Sequence, residues 1–414
     1  MRVSDGLLPT TDLSIPKRAT YAAFGVNGLM YAALVSRVPA LGADLGLSTA
    51  GLGLLLLWLS AGAVSGLPIA GFLVQRVGAS RSIATGVATV AVGLLLLTLG
   101  LGSSSLVAAA TALYVIGLGM GLWEVSMNVT GARIASLLGS DGLLPRLHAA
   151  LSVGTVFGAL LGALLASASV SLSGQCAAVA CLLLPVTLLI GRTVRSVDAV
   201  ESSGGARASG RNLWSSWREP RTLLLGLFVL GFAFTEGTAN EWIAYVLVDG
   251  YSASESTGAA AFAVFVAAMT IGRVAGGALI ARFGRIRTLR ASLGVALGGV
   301  LVVALAESAV LALAGAILWG LGAALGFPVG MSAAADDPLK AAARVSVVSS
   351  IGYAAFLGGP PLLGLLGGRI GIQQAILLVC VALLLSFLTA GATRRTSPGG
   401  QPDHREGSSS QKPS

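Results

Sequence analysis

The sequence predicts an all-α, polytopic membrane protein with twelve transmembrane helices in two pseudo-symmetric six-helix bundles. Composition, the spacing of apolar segments and an internal repeat predict this fold. Hydrophobic residues make up 55% of the 414 residues and charged residues 10%, and the mean hydropathy is +0.87. A soluble domain carries roughly 25% charged residues. Since so few charges could not cover a water-exposed surface, the lipid bilayer is the expected surrounding of this chain.

Each predicted crossing is an apolar segment long enough for a helix that spans about 30 Å of hydrocarbon. Short polar or glycine-containing turns separate neighbouring segments. The crossings of the first half lie at 19–40, 49–74, 82–101, 106–135, 147–169 and 172–191. The crossings of the second half lie at 222–248, 256–281, 289–306, 309–335, 345–367 and 371–392.

Composition also marks the domain boundaries. The stretch between the two sets of crossings is basic and rich in Gly and Ser, which predicts a cytoplasmic linker. The polar end of the chain is rich in Ser, Pro and Gly, which predicts disorder. The resulting division is a cytoplasmic tail (1–18), an N-terminal six-helix bundle (19–191), the linker (192–221), a C-terminal six-helix bundle (222–392) and a disordered cytoplasmic tail (393–414).

A basic sequence motif occurs in each half of the chain, at the end of the second crossing. Residues 71–81 read GFLVQRVGASR, and residues 277–287 read GALIARFGRIR. The identical positions are Gly71/Gly277, Leu73/Leu279, Arg76/Arg282, Gly78/Gly284 and Arg81/Arg287. A duplicated basic turn between apolar segments indicates two similar membrane halves, an organisation typical of secondary transporters.

The net charge of +9 is a topology signal rather than a sign of nucleic-acid binding. With the N-terminus in the cytoplasm, every Lys and Arg falls on the cytoplasmic side except Arg37, Arg273 and Arg369. This bias predicts that both termini are cytoplasmic. The first 18 residues are polar, so they do not form the apolar core of a cleaved signal peptide.

The chain resembles the major facilitator superfamily over about residues 19–392, in its two halves, its long middle loop and its motif at 71–81. That family's loop pattern is G-x-L-[AS]-D-R-x-G-R-[RK], but Gln75 and Ala281 stand where the family usually has Asp. The resemblance implies a monomer that rocks its two bundles around a midplane site. We expect a gating role for the loop residues Gly71, Arg76, Gly78, Arg81, Gly277, Arg282, Gly284 and Arg287, and a gating bend at Pro360 and Pro361.

Three motifs narrow this resemblance: GLWEVSMN at 121–128, TEGTANEW at 235–242 and GYAAFLGGPPLLG at 352–364. They resemble a bacterial branch that contains the rhizopine-cluster membrane protein and lies near the fucose permease. The resemblance implies a location in the bacterial inner membrane. In the fucose permease a functional glutamate lies in a similar helix 4 stretch, and an aspartate lies in helix 1. Because residues 26–31 here contain no acid, fucose specificity is not expected.

Two Glu-x-x-x-Asn motifs are the strongest candidates for chemistry, because ionisable groups inside membrane helices are costly. They are Glu124/Asn128 in the fourth crossing and Glu236/Asn240 in the seventh. A spacing of four puts both side chains on one helix face, and in the resembling family these helices line the central cavity. A carboxyl group there can exchange protons, and an amide both donates and accepts hydrogen bonds. The alternative is that these residues join helices by hydrogen bonds.

Neutral polar and aromatic residues could complete a substrate site. Asn27 and Tyr31 share a face of the first crossing and are expected to face the cavity, with helix packing as the alternative. Trp123 and Trp242 flank the two glutamates. Their rings could stack on a sugar or mark a membrane interface.

Isolated charges in or near the crossings have two interpretations each. Arg273 could bind a substrate carboxylate or pair with an acid such as Glu236. Arg37 could serve at the entrance or extend to the interface. Glu241 is expected nearer the external mouth. Four residues near the predicted cytoplasmic ends are candidates for gate contacts, namely Arg133, His148, Asp336 and Asp337.

The function that the sequence predicts is secondary active transport of a small polar solute, such as a sugar or a related metabolite, by alternating access. Coupling to a proton gradient through Glu124 and Glu236 is the accompanying hypothesis. The predicted partners are the solute and the bilayer, without nucleic acid, metal or cofactor. No Walker-type phosphate loop occurs in the sequence, so ATP-driven transport is not expected.

Three alternatives stay open at this point. The first is efflux of a drug or natural product, although the fifth crossing lacks the proline of the drug-antiporter motif. The second is a non-transporting sensor or scaffold, which would be expected to carry a folded soluble appendage. The third, a membrane enzyme, lacks a cluster of His, Cys or nucleophiles. The three cysteines Cys176, Cys181 and Cys380 indicate neither a metal site nor a disulfide framework.

Overall fold

The computed structural model describes residues 13–140, 142–193, 215–337 and 340–394, and within these ranges the chain forms helices and no β-strand. The first half contains α1 (Ser14–Val35), α2 (Val38–Asp44), α3 (Thr49–Val77), α4 (Ala79–Gly102), α5 (Leu106–Leu137), α6 (Leu143–Ser167) and α7 (Leu172–Thr193). The second half contains α8 (Pro220–Tyr245), α9 (Glu255–Phe283), α10 (Arg285–Leu305), α11 (Ala309–Ala323), α12 (Gly326–Ala334), α13 (Ala341–Ile370), α14 (Ile372–Ala375) and α15 (Leu378–Thr389). A π-helical turn, Val246–Gly250, extends α8.

These helices confirm the predicted all-α membrane fold. In the described part of the chain, 10 helices are long and apolar enough to cross a membrane. The pair α1 and α2, bent by 44°, makes an eleventh if it forms one crossing. The apolar part of α7, Leu172–Thr187, is shorter than these spans. Every predicted crossing therefore corresponds to a helix, and the number of twelve crossings stays a prediction.

The predicted division into domains stays a prediction. The first helix begins at Ser14, earlier than the predicted residue 19. Most of the predicted linker and most of both predicted tails lie outside the described residues.

Successive spans run in opposite directions, so the turns between them collect at two ends of the molecule. We call one the basic end; its described residues include the turns at 78, 138–140, 142, 284, 335–337 and 340. The other is the distal end; it carries the turns at 36–48, 103–105, 168–171, 251–254 and 306–308.

The turn in the repeated basic motif has the same backbone geometry in both halves. Gly78 has φ 90° and ψ 159°, and Gly284 has φ 82° and ψ 156°. Essentially only glycine adopts this conformation. Gly371, between α13 and α14, has a similar φ of 86° and was not predicted. At Gly71 and Gly277 an added Cβ would meet nothing within 4 Å, so packing does not require these two glycines.

Small residues allow the helices of each half to approach closely, as in many membrane bundles. A Cβ at Gly154 of α6 would lie 1.9 Å from the Gly25 carbonyl oxygen of α1. A Cβ at Gly117 of α5 would lie 1.9 Å from the Leu59 carbonyl oxygen of α3. The two halves meet chiefly where α3 packs on α13 and α6 packs on α9. The polar residues of the candidate site lie between these bundles.

Candidate functional site

Glu124 of α5 lies where the two halves face each other. The Glu124 side chain is exposed although it lies well inside a helix of 32 residues. It is within electrostatic range of Tyr31 on α1 and of Tyr353 on α13. A side chain that is accessible and also faces two other helices, one from the opposite half, lines a space inside the molecule.

Tyr31 is the point at which the two predicted motifs converge. Its hydroxyl contacts the Asn240 amide of α8 and is within electrostatic range of Glu124, Glu236 and Glu241. On α5 the Asn128 amide nitrogen donates a hydrogen bond to the Glu124 backbone carbonyl at 2.8 Å. The structure therefore brings acids from both halves around one tyrosine, an arrangement that the resemblance to the family implied. Their role in transport stays a prediction.

Glu236 and Arg273 form a salt bridge of 2.9 Å between α8 and α9, which was one of the two interpretations of Arg273. The Arg273 Nε is buried and has no hydrogen-bond partner in the described part of the chain. Arg273 is also within electrostatic range of His148 on α6, in the other half. Glu236 is thus charge-compensated, and Arg273 keeps one donor that is free to bind a further group.

Asn27 lies one turn before Tyr31 on α1 and is 6% exposed. Its Nδ2 has no hydrogen-bond partner among the described residues. An unpaired buried donor is costly, so the site has a donor available for a polar ligand.

The two tryptophans do not match either of their predicted roles. Trp123 and Trp242 are both 0% exposed, so neither ring has an accessible face for stacking or for an interface. The Trp123 backbone packs against Gly86 of α4, and the Trp242 ring meets Tyr245 edge-on at 5.7 Å. The physical reason is helical geometry: adjacent residues point about 100° apart, so the neighbour of a cavity-facing glutamate turns into the protein.

Two site residues were not singled out from the sequence. Tyr353 faces Glu124 from α13, and Ser60 of α3 contacts the Glu241 carboxyl group of α8. Tyr353 lies inside the motif at 352–364, which was a usable signal. Ser60 is one of several serines in apolar segments, so the sequence did not distinguish it.

Arg37 is buried and does not extend to the protein surface, which corrects one of its two interpretations. It is 2% exposed and pairs with Glu255, the first residue of α9 in the other half. Its guanidinium also donates to the Gln175 side chain at 3.0 Å and to the Val170 carbonyl at 2.9 Å. Because three groups hold a buried cation here, Arg37 links the two halves at the distal end.

Further contacts between the halves complete this distal closure. The Thr49 hydroxyl of α3 is 3.2 Å from the Tyr245 hydroxyl of α8. A Cβ at Gly53 of α3 would lie 2.5 Å from the Pro360 carbonyl oxygen and 2.7 Å from the Gly364 Cα of α13. The helix α13 continues through Pro360 and Pro361 without interruption. The halves are therefore in tight contact at the distal end.

At the basic end, charge networks join the helices of the second half. Asp336 makes salt bridges to Arg221 at 3.2 Å and to Arg285 at 3.3 Å. Arg285 follows Gly284 in the repeated basic motif, so the predicted contact of Asp336 with a basic loop is present. Asp337 pairs with Arg344 at 3.6 Å.

The predicted loop arginines lie near this network without being its centre. The Arg76 guanidinium lies 5.3 Å from the Phe72 ring centroid, and that of Arg282 lies 5.2 Å from the Phe283 ring centroid. Arg81 and Arg287 are exposed. Their gating role stays a prediction.

A second acid of the basic end, Glu219, precedes α8. The Arg344 guanidinium beside Glu219 lowers the pKa of this carboxyl group from 4.5 to about 2. Lys340 lies 3.7 Å from the same carboxylate and adds to this effect.

Comparisons with known proteins agree with this architecture. The chain matches the family model described as Major Facilitator Superfamily over residues 20–343 and 242–413. The uncharacterized transporter y4wD of Sinorhizobium fredii is 32% identical over 364 residues, which cover 86% of this chain and 92% of the relative. Membrane protein MosC of Rhizobium meliloti is 25% identical over 385 residues, which cover 92% of this chain and 90% of MosC.

Solved structures show the same fold at low sequence identity. The nucleoside transporter NupG superposes with a TM-score of 0.74 at 13% identity, covering 92% of this chain and 100% of NupG. The E. coli fucose:proton symporter FucP superposes with a TM-score of 0.59 at 17% identity, covering 91% of this chain and 98% of FucP. At these identities the likeness concerns the fold.

Proposed function

The chain belongs to the major facilitator superfamily, and we propose that it is a secondary active transporter of a small polar solute, driven by protons. It is a multi-pass membrane protein. The observation that carries the proposal is the convergence of acids from both halves on the Tyr31 hydroxyl, inside the membrane-embedded part. A site shared by two halves is the geometry that alternating access requires.

The polarity of the site supports a polar cargo. The Asn27 amide and the Arg273 Nε are buried donors without partners in the described part of the chain. A solute with hydroxyl or carbonyl groups would satisfy both donors, whereas an apolar solute would leave them unpaired. FucP and NupG, which share the fold, carry fucose with protons and nucleosides, respectively.

The charges of the site support proton coupling through Glu124. Glu236 is compensated by Arg273. No salt bridge to Glu124 occurs among the described residues. An uncompensated carboxylate in a membrane cavity favours binding of a proton. In this proposal Glu124 exchanges the coupling proton, and the Glu236–Arg273 pair holds the solute.

The charge distribution supports an orientation with the basic end in the cytoplasm of a bacterial cell. Of the Lys and Arg residues in the part of the chain that the structure describes, only Arg37, Arg273 and Arg369 lie away from that end. The positive-inside rule then puts both termini in the cytoplasm. The relatives y4wD and MosC are bacterial, which supports the inner membrane as the location.

The test is transport by the purified protein in liposomes. A thermal-shift screen with sugars, polyols and nucleosides first identifies a ligand, because binding to the folded state raises the apparent stability. Uptake of that ligand is then measured with and without a pH gradient. We expect uptake against a concentration gradient only when the outside is acidic, and loss of this uptake in Glu124→Gln.

The matched control is Glu307→Gln, which changes an exposed glutamate in a distal turn and should transport normally. Transport that does not depend on the pH gradient would refute proton coupling. Normal transport by both Glu124→Gln and Glu236→Gln would refute the assignment of the site.

A further inference from the structure

Two exposed arginines at the start of α10, Arg287 and Arg290, have no acidic partner; we call them the arginine pair. They lie three residues apart, so their side chains are neighbours on one face of the helix. Neither forms a salt bridge with any of the described residues. Like charges at this spacing repel each other, so an anion bound between the two guanidinium groups would stabilise this face of α10.

The acids at the basic end are already engaged by other basic residues. In the described part of the chain these acids are Asp336, Asp337 and Glu219. Asp336 pairs with Arg285, and Arg344 pairs with both Asp337 and Glu219. Protein groups therefore neutralise the inner arginines of this end, whereas the arginine pair is left for an anion from outside the chain.

The arginine pair borders a surface that faces lipid. The Arg290 guanidinium carbon lies 5.1 Å from the ring centroid of Phe387 on α15, within the range of a cation–π contact. Phe387 is 41% exposed, and Leu384 and Leu388 on the same helix are 57% and 72% exposed. Large apolar side chains that are exposed on a helix of a multi-pass membrane protein contact lipid chains. The Phe387 ring thus holds the Arg290 charge at the edge of the hydrocarbon.

An open strip of α10 continues from the arginine pair along the same helix face. The start of α10 and the end of the chain after α15 meet at the basic end, because Arg285 donates a hydrogen bond to the Thr393 carbonyl at 3.0 Å. Gly294 and Gly298 follow at four-residue intervals after Arg290, and a Cβ at either would meet nothing within 4 Å. An extended hydrocarbon chain can lie on this strip without displacing a side chain.

The first half has no corresponding pair. When the repeated basic motifs are aligned, Arg81 corresponds to Arg287, but Ala84 corresponds to Arg290. The general bias of basic residues toward this end would apply equally to both halves. The second arginine is therefore a local feature of α10 and α15.

We propose that the arginine pair and the open strip bind one phospholipid with an anionic headgroup. Its phosphate diester lies between the two guanidinium groups, and one acyl chain runs along Gly294 and Gly298. Guanidinium groups match phosphate oxygens in both charge and geometry. The orientation proposed above puts this site in the cytoplasmic leaflet, whose anionic lipids attract basic residues. A zwitterionic phospholipid carries its own cation beside the phosphate, so this site favours the anionic lipid.

The test is native mass spectrometry of the delipidated protein in detergent, with phosphatidylglycerol or phosphatidylcholine added at equal concentrations. We expect the unsubstituted protein to retain one more phosphatidylglycerol than a variant with both Arg287→Gln and Arg290→Gln. Thermal unfolding is measured on the same samples, because a ligand of the folded state raises the unfolding midpoint. Phosphatidylglycerol should raise this midpoint more than phosphatidylcholine does, and inorganic phosphate should leave it unchanged.

Variants separate the headgroup contact from the chain contact. The double Arg→Gln variant should bind phosphatidylglycerol about 30-fold more weakly, since each basic residue contributes about 1 kcal/mol near an anionic lipid. Gly294→Leu keeps both charges but fills the open strip, so it should also weaken binding. Arg81→Gln is the matched control, because it removes the corresponding exposed arginine of the first half, and it should bind like the unsubstituted protein.

Equal retention of the two lipids would overturn the inference, and so would equal phosphatidylglycerol binding by the double variant and Arg81→Gln. If the double variant has a lower unfolding midpoint without lipid, Gly294→Leu supplies the test, and normal binding by Gly294→Leu would overturn the inference. A rise of the midpoint with inorganic phosphate equal to that with phosphatidylglycerol would indicate an ion site and would also overturn it. These measurements do not involve uptake, so their outcome is independent of the proposed function.

Discussion

Neighbouring acids of this protein have different surroundings, and these differences separate their expected roles. Glu236 has a cation at 2.9 Å, Glu124 faces tyrosines in an accessible cavity, and Glu241 is buried against a serine. A compensated acid is suited to holding a ligand, and an uncompensated one to binding a proton. The residue type is the same in each case, so the partner determines the chemistry.

Outside the membrane-spanning segments, Glu219 gives a pH-dependent prediction. Its pKa is lowered to about 2 by Arg344, so its stabilising effect is fully present above about pH 4.5 and is lost as the pH falls toward 2. Glu219→Gln should lower the free energy of unfolding by roughly 1 kcal/mol at pH 7, allowing for partial exposure. The difference should shrink as the pH falls to 3, as measured by thermal unfolding in detergent.

The control for this prediction is the exposed acid Glu307. Glu307→Gln should leave the thermal midpoint nearly unchanged at both pH values. A difference between Glu219→Gln and the unsubstituted protein that is constant with pH would show that Arg344 does not hold this carboxylate.

At the scale of elements, closure of the distal end depends on how closely α3 approaches α13. A Cβ at Gly53 would lie 2.5 Å from the Pro360 carbonyl oxygen, so Gly53→Ala should disfavour the closed state. We expect the population with separated distal ends to rise several-fold, as measured by the distance between spin labels attached through Asp44→Cys and Glu307→Cys, two exposed distal positions in opposite halves.

The same helix provides the matched control. At Gly71 an added Cβ would meet nothing within 4 Å, so Gly71→Ala should leave the label distances unchanged. If Gly53→Ala gave the same distances as Gly71→Ala, the contact between α3 and α13 would not control closure.

At the scale of the whole molecule, Arg37 joins the two halves by one buried side chain. Arg37→Ala would leave Glu255 and Gln175 without this partner. Amide hydrogen exchange in the turns 36–48 and 251–254 should therefore become faster, about 10-fold if one charged hydrogen bond worth roughly 1.5 kcal/mol is lost. Arg37→Lys should be intermediate, since an ammonium group cannot reproduce the planar guanidinium contacts.

Arg369 is the control for this prediction, because it is an exposed arginine that ends α13 at the distal end. Arg369→Ala should leave exchange in both turns unchanged. Equal exchange in Arg37→Ala and Arg369→Ala would mean that Arg37 does not link the halves.

Much of this architecture could be predicted from the sequence. Low charge and long apolar segments predicted the membrane helices, and the repeat at 71–81 and 277–287 predicted two similar halves. The matching backbone at Gly78 and Gly284 and the family match confirm that organisation. The spacing of Glu124 and Asn128 placed both on one helix face, because helical periodicity is a local property.

Contacts between the halves could only come from the tertiary structure. Arg37 and Glu255, or Ser60 and Glu241, are far apart in sequence, and helical periodicity does not specify which residues meet across an interface. The sequence therefore left Arg37 with two interpretations and gave no reason to select Ser60 or Tyr353. Local pattern determined the helices and their faces, whereas packing between bundles decided which acids have a cation, which are buried, and which end of the molecule is closed.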